Sequence, residues 1–194
     1  MIVQIDDAAD AEECAALTAL YDRYVGSSSA MDYTGHPLLF WRHLRDIAPA
    51  RPLLARLVRR AQGLLAAHAA LALHPESVVL AMVGPGGRLP LHADNSRQSD
   101  GGDWVPNHTP QRDLSALYYL NNAFEGGEIR FPQWGLMIKP RRGLLIAFPS
   151  DARHVHEVLP VRRGQRYSLP IWFTHTASAG LEDLASAPRV RSTL

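Results

Sequence analysis

His92-Ala93-Asp94-Asn95 at one end, and His156-Glu157-Val158-Leu159-Pro160 with Gly164-Gln165-Arg166 at the other, bound the stretch whose reading decides the fold. In a β-strand, residues i and i+2 point the same way, so His92-x-Asp94 sets an imidazole and a carboxylate on one face. A second imidazole, distant in sequence, completes a three-ligand face for a metal ion and leaves the opposite coordination positions open. Two histidines compete for that place. His154 and His156 are themselves i and i+2, and the spacing alone does not choose between them. Arg166, ten residues beyond His156, offers a fixed cation for an anionic ligand.

Working outward, the pattern between these ends is one of short strands. Val78-Val79-Leu80-Ala81-Met82-Val83 reads as a buried strand broken by Gly84-Pro85-Gly86-Gly87. Further strands are expected around Leu91 and over Leu114–Leu120, Glu128–Phe131, Leu136–Ile138, Leu144–Phe148, His154–Val158 and Arg166–Phe173. Gly126-Gly127, Gln133-Trp134-Gly135, Arg141-Arg142-Gly143 and a turn over Val161–Gln165 separate them. Before this region the period is helical. Asp10 and Glu13 have the form of a capping box ahead of Cys14, Leu17, Leu20, Tyr21 and Tyr24. Leu53, Leu54, Leu57, Val58, Ala61, Leu64 and Leu65 mark a second amphipathic helix from Pro52 to about His68. The Ile2–Ile5 run has the character of an edge strand, and Met31–Asp46 that of a loop with a short helix. Helices followed by short strands predict a mainly β fold with flanking α-helices, a jelly roll braced on one sheet. The expectation is one domain over 1–194: a mostly helical support to residue 75, a β core over 78–174, and an Ala/Ser-rich tail over 178–194 with a short helix at Leu181–Ala185.

Composition narrows the function. Lys and Arg number 20 against 19 Asp and Glu, which gives no general affinity for nucleic acid or membranes. The single cysteine, Cys14, excludes an internal disulfide and fits a reducing compartment. Met1–Asp10 lacks the form of a secretory signal, and the longest apolar run, Leu64–Leu73, is too short to span a bilayer. A soluble, cytoplasmic protein is expected, with no statement about its oligomeric state. Of the nine histidines, His36, His43, His68, His74 and His175 are expected to be structural or solvated, and His108 to lie near the site mouth.

Several linked motifs resemble the prolyl-hydroxylase branch of the 2-oxoglutarate/Fe(II) dioxygenases. They are His92-Ala93-Asp94-Asn95, the run from Arg112-Asp113-Leu114-Ser115-Ala116 to Tyr118-Tyr119-Leu120-Asn121, Phe124-Glu125-Gly126-Gly127, His156-Glu157-Val158, and Gly164-Gln165-Arg166 with Trp172-Phe173-Thr174. The Arg112 run and the closing Trp-Phe-Thr are most similar to collagen prolyl 3-hydroxylases; His156-Glu157-Val158-x-Pro160 is also similar to oxygen-sensing prolyl hydroxylases. The resemblance implies a double-stranded β-helix, with Fe(II) on His92, Asp94 and His156 and His154 as a strand neighbour. It assigns the 5-carboxylate of 2-oxoglutarate to Arg166 with Tyr119. A guanidinium fork suits a carboxylate, and Ser168, two residues along the strand, can add a hydroxyl. It implies dioxygen as co-substrate, ascorbate as a candidate reductant, and Trp172 beside the iron. The family often has a tyrosine before the His-x-Asp strand; Met82 and Val83 stand there instead, which implies a more apolar substrate pocket.

The expected activity is hydroxylation of an unactivated carbon of proline, a prolyl residue or another amino acid or peptide. Retention of Asp94 favours this over halogenation, because related halogenases lack the carboxylate. The Asn95–Gln111 segment, with Gly101-Gly102, Trp104 and His108, has the length of a lid, its alternative being an ordinary exposed hairpin connection, and Asn95, Trp104, His108 and Trp172 are candidate substrate contacts. The alternative is a jelly-roll metal-binding protein without oxidative turnover, and it gives Arg166 and Tyr119 no task.

Overall fold

The computed structural model describes residues 1–177 apart from 29, 33, 34 and 70, together with Leu181 and Leu184. The chain begins with β1 (Val3–Ile5), α1 (Ala11–Tyr24), β2 (Leu38–Phe40), α2 (Trp41–Leu44) and α3 (Ala50–Leu65). It continues through β3 (His74–Val83), β4 (Leu89–His92), β5 (Ser96–Gln98), β6 (Trp104–Pro106), β7 (Leu114–Tyr119), β8 (Phe124–Gly126) and β9 (Ile129–Phe131). The last strands are β10 (Leu136–Ile138), β11 (Leu145–Pro149), β12 (His156–Val158), β13 (Val161–Gly164) and β14 (Arg166–Thr174). A six-stranded sheet runs β1-β11-β7-β14-β3-β2, and a four-stranded sheet runs β10-β9-β12-β4. All their pairings are antiparallel. This is the jelly roll expected from the strand pattern, with helices on one face of the larger sheet.

Alternation along β14 divides its residues between two environments. Tyr167, Leu169, Ile171 and Phe173 are buried in the core shared with Leu17 and Tyr21 of α1 and with Leu54, Leu57 and Val58 of α3. Arg166, Ser168, Pro170 and Trp172 face the other way and line a cavity between the two sheets. A second core of Ile129, Phe131, Ile138, Leu144, Ile146 and Phe148 packs between the sheets, with Tyr119 in it. The helices therefore brace the back of the strand that carries Arg166.

The α1 start is the capping box that the sequence suggests. Glu13 N–H donates to Asp10 Oδ1 at 2.8 Å, and Asp10 N–H donates to Glu13 Oε2 at 3.1 Å. The same carboxylate accepts from Arg56 Nε at 2.8 Å and from Arg60 Nη1 at 2.6 Å, which ties α1 to α3. Burial acts to raise the Glu13 carboxyl, but the bonds from Arg60 and Arg56 win and bring it down to about 2. A depressed carboxylate gives its full stabilisation above its unfolded value, ~4.3, and loses it as pH falls through the folded value. Glu13→Gln should therefore unfold at lower temperature at neutral pH, by ~1–2 kcal/mol because both arginines are partly solvated. Thermal melts should show the gap between variant and wild type closing between pH ~4.5 and ~2; a constant gap across that range would contradict this account.

Three local expectations are corrected, and the Asn95–Gln111 segment takes the hairpin form that was its alternative. The second helix begins at Ala50 and passes through a 3-10 turn at Ala66–His68; Pro52 is tolerated because first-turn amides have no intrahelical partner. Val161–Gly164 is strand β13, paired with β8, rather than a turn. The Asn95–Gln111 segment holds the β5–β6 hairpin, with Ser96 opposite Pro106 and Gln98 opposite Trp104. His154 ends a 3-10 turn over Ala152–His154 and is not a strand residue. Beyond these, Met31–Asp46 contributes β2 as well as a short helix, and Tyr33 and most of the expected Leu181–Ala185 helix lie outside the described residues. Among the described residues no helix is long and apolar enough to cross a membrane.

Candidate active site

β4 and β12 are paired in the smaller sheet with His92 opposite His156, so both rings project into the cavity, their centroids 4.3 Å apart. Asp94 follows β4 directly. His92 Nε2 lies 3.8 Å from Asp94 Oδ1, and His156 Nε2 lies 3.9 Å from Asp94 Oδ2. One ligand atom from each of the three residues lies within 4.8 Å of the others. Backbone carbonyls fix both rings: His92 Nδ1 is 2.8 Å from Pro90 O, and His156 Nδ1 is 3.0 Å from His154 O. A carbonyl only accepts, so each Nδ1 carries the proton and each Nε2 offers its lone pair. Burial, with His92 beside it, lowers the His156 ring to about 4, so it is neutral near pH 7. Burial acts to raise the Asp94 carboxyl, while the positive charge of either ring when protonated and a 2.5 Å hydrogen bond from Ser115 Oγ act to lower it, and the net shift is downward. Ser115 spends its one proton on Asp94, so the 2.8 Å contact with Ser150 Oγ has Ser150 as donor.

His154 is not part of this face. Its Nδ1 is 2.7 Å from Asp151 Oδ1 and its ring stacks on Trp134 at 5.0 Å. Its only bond to the metal face comes from its backbone oxygen.

The same cavity holds Arg166, which is 2% exposed. Among the described residues its Nε and Nη2 meet no hydrogen-bond partner, and neither does the hydroxyl of Tyr119, whose ring lies 4.9 Å from the guanidinium carbon. Burial pushes the Tyr119 phenol up, with the Arg166 charge opposing, so the hydroxyl keeps its proton and is a donor. Buried donors are almost always satisfied, and a buried guanidinium without an anion is costly. Ser168, on the next inward position of β14, is paired across the sheet with Tyr119. Gly127 makes room for this cluster: a Cβ there would meet Arg166 Cδ at 2.8 Å, and its φ is +67°. Gly127→Ala should raise the requirement for an anionic ligand of Arg166 roughly tenfold and leave metal affinity alone, as titrations of each would show.

The cavity measures about 410 Å³. His108 and Trp172 line it, as expected, and so do Met82 and Val83, which gives that wall the apolar character inferred from the missing tyrosine. Asn95 is a brace instead: its Nδ2 donates to Arg112 O at 2.9 Å and its Oδ1 accepts from Ser96 Oγ at 2.6 Å. Neither Asn95 nor Trp104 lines the cavity. The Asn107 and Thr109 side chains both donate to Asp94 O, which staples the segment bearing His108 to the metal face. His36 differs from expectation, since it lines the cavity with its Nδ1 3.1 Å from Asp32 Oδ2. Leu38 and Phe40 of β2 also reach it, so the N-terminal half supplies wall as well as support. Sequence reasoning gave Ser115 no role, although its spacing from Tyr119 along β7 places both on one face.

Comparison with known proteins decides the family. The profile described as the 2OG-Fe(II) oxygenase superfamily matches residues 78–174. This chain belongs to the 2OG-Fe(II) oxygenase superfamily. It is 39% identical to rat prolyl 3-hydroxylase 2 and 40% identical to mouse prolyl 3-hydroxylase 3, each over 93 residues. The matched part is 44% of this chain and 13% of either relative's length. In three dimensions it superposes on a viral collagen prolyl hydroxylase from Paramecium bursaria Chlorella virus-1, solved as a 2OG complex, with TM-score 0.69, 20% identity, and coverage of 90% of this chain and 96% of that one. A Pseudomonas putida prolyl-4-hydroxylase gives TM-score 0.67 and 24% identity over 91% of this chain and 93% of that one. At such identities the likeness is one of fold.

The residues fit what a 2OG-Fe(II) oxygenase holds. Two neutral imidazole nitrogens and an ionised carboxylate on one side suit Fe(II). The unpartnered Arg166 and Tyr119 donors suit the distal carboxylate of 2-oxoglutarate. The family thus supplies Fe(II) as cofactor and 2-oxoglutarate and dioxygen as co-substrates, and the chain is an oxidoreductase.

Proposed function

We propose that this oxygenase hydroxylates a prolyl ring carbon, in proline or in a prolyl residue. The observation that carries the reading is the pairing, in one cavity, of a three-ligand metal face with a buried guanidinium whose donors meet no acceptor among the described residues. A metal site serving structure alone leaves Arg166 and Tyr119 without purpose. The prolyl part rests on the curated relatives, prolyl 3-hydroxylases over the matched region.

The balance is that of a coupled oxidation: one oxygen atom of O₂ enters the substrate C–H bond, and the other enters succinate as 2-oxoglutarate loses carbon dioxide. The iron and 2-oxoglutarate supply the oxidising chemistry when bound, and the protein supplies orientation and enclosure. His92, Asp94 and His156 would hold the metal from one side, and Val79, Met82 and Val83 give the same cavity an apolar wall. Arg166, with Tyr119 and Ser168, fixes the keto acid by its far end. Ser115 keeps Asp94 ionised and oriented. Ascorbate would keep the metal reduced between turnovers, and the lone buried Cys14 suits a cytoplasmic setting.

The test is a succinate-release screen with Fe(II), 2-oxoglutarate and ascorbate over proline, prolyl peptides and other amino acids, with mass spectrometry for one added oxygen. Product with a prolyl compound supports the reading. Substrate-stimulated succinate only with non-prolyl compounds would keep the hydroxylase and discard its prolyl substrate.

A further inference from the structure

Once the metal face and Arg166 are assigned, a second guanidinium remains on the cavity wall. Arg112 lies just before β7 and lines the cavity with its side chain 14% exposed. Glu76 on β3 accepts from its Nε at 3.0 Å, while the other Glu76 oxygen accepts from Gln111 Nε2 at 2.8 Å. The guanidinium carbon stands 3.9 Å from the centre of the Trp172 ring. One edge and one face of Arg112 are therefore held, and its rotamer is fixed before any ligand arrives. The remaining Nη edge has the two-donor geometry that fits a carboxylate and is only half used by a neutral carbonyl. The position is also right for a substrate. Trp172 shares the inward face of β14 with Arg166, and Arg112 lines the same cavity as His92, Asp94 and His156.

We infer that Arg112, stacked on Trp172, is the subsite for a carboxylate of the prime substrate, so that the residue hydroxylated carries a free carboxyl group. This rests on the prolyl hydroxylase reading and narrows it to two sources of one chemistry, the free imino acid and the C-terminal residue of a peptide. Cavity size agrees. At about 410 Å³ it is near the lower end of small-molecule sites, ~300–1,000 Å³, and it must hold 2-oxoglutarate as well.

The deciding experiment compares acids with their amides on the wild-type chain loaded with Fe(II) and 2-oxoglutarate. L-Proline is set against L-prolinamide, and glycyl-proline against glycyl-prolinamide, with N-acetyl-prolinamide as the neutral internal mimic. Hydroxylated product and succinate are measured together. At least one acid should be turned over with a KM at least roughly tenfold below that of its amide, and which acid it is separates free imino acid from peptide terminus. Arg112→Gln, which keeps a donor for Glu76 and loses the cation, should raise the KM for that acid roughly a hundredfold and erase the preference over the amide. Amides used as well as acids would overturn the carboxylate subsite and leave the hydroxylase reading standing. No product from any prolyl compound would overturn the carboxylate subsite and the prolyl substrate together, with membership of the oxygenase family untouched. The wild-type comparison needs no variant, so an Arg112 variant that fails to fold does not block the decision.

Discussion

Alanine at His92, Asp94 or His156 is expected to abolish both succinate release and hydroxylation, whereas His154→Ala keeps turnover within a factor of about ten of wild type. The difference follows from which atoms each histidine contributes. His156 presents Nε2 to the metal face, 3.9 Å from Asp94, and nothing nearby replaces it. His154 contributes its carbonyl to the His156 ring, and alanine retains a carbonyl. What His154→Ala loses is the bond to Asp151, the 3.4 Å contact of its Nε2 with the Met1 amine and the stack on Trp134, none of whose partners lines the cavity. Anaerobic titration with Fe(II) and 2-oxoglutarate, followed by the weak visible absorbance of the loaded site, separates the cases without relying on turnover. The three ligand variants should show no band and His154→Ala a normal one. A dead His154→Ala beside an active His156→Ala would reverse the assignment of the third ligand.

The second large effect is at Arg166. Its Nε and Nη2 are buried and meet no acceptor among the described residues, so the co-substrate carboxylate is the group whose fork geometry would pair them. Removing the cation should cost ~2–5 kcal/mol of 2-oxoglutarate binding, at least roughly thirtyfold in the concentration required. Arg166→Lys should fall between, because an ammonium supplies the charge without the fork. Iron affinity should stay near wild type in both, since Arg166 reaches the metal face only through the ligand. Initial rates against 2-oxoglutarate, with metal content measured alongside, test this. An unchanged 2-oxoglutarate dependence in Arg166→Ala would remove the clamp from the account.

What could be read in advance was set by local physics. The Asp10–Glu13 capping box and the 3.6-residue spacing of Cys14, Leu17 and Tyr21 need only neighbouring residues, and α1 lies where they place it. The same holds for the alternation that puts Arg166, Ser168 and Trp172 on one side of β14. The choice between His154 and His156 was not local. Asp151 caps a 3-10 turn with its side chain, accepting from Arg153 N–H at 3.1 Å, and that turn removes His154 from the strand. The length of the Asn95–Gln111 segment did not show its pairing, which is the β5–β6 hairpin turned at Gly102, with φ +86°. His36 and Phe40 were illegible for another reason. Strands of three residues carry too little period to place a side chain, and these reach the cavity because β2 pairs with β3 far along the chain.

The run of hydrogen bonds from Ser150 through Ser115 to Asp94 bears on how such a site could change by descent. Each hydroxyl is oriented by the next acceptor, and the last acceptor is the carboxylate. Loss of that carboxylate would leave the buried Ser115 hydroxyl without its acceptor, a penalty of ~1–3 kcal/mol, while Ser150 keeps Ser115 as its acceptor. A lineage abandoning the acid at position 94, to free a coordination position for another anion, would therefore have to recast position 115 in the same episode. Single-step drift away from hydroxylation is thus opposed by folding as well as by selection on activity.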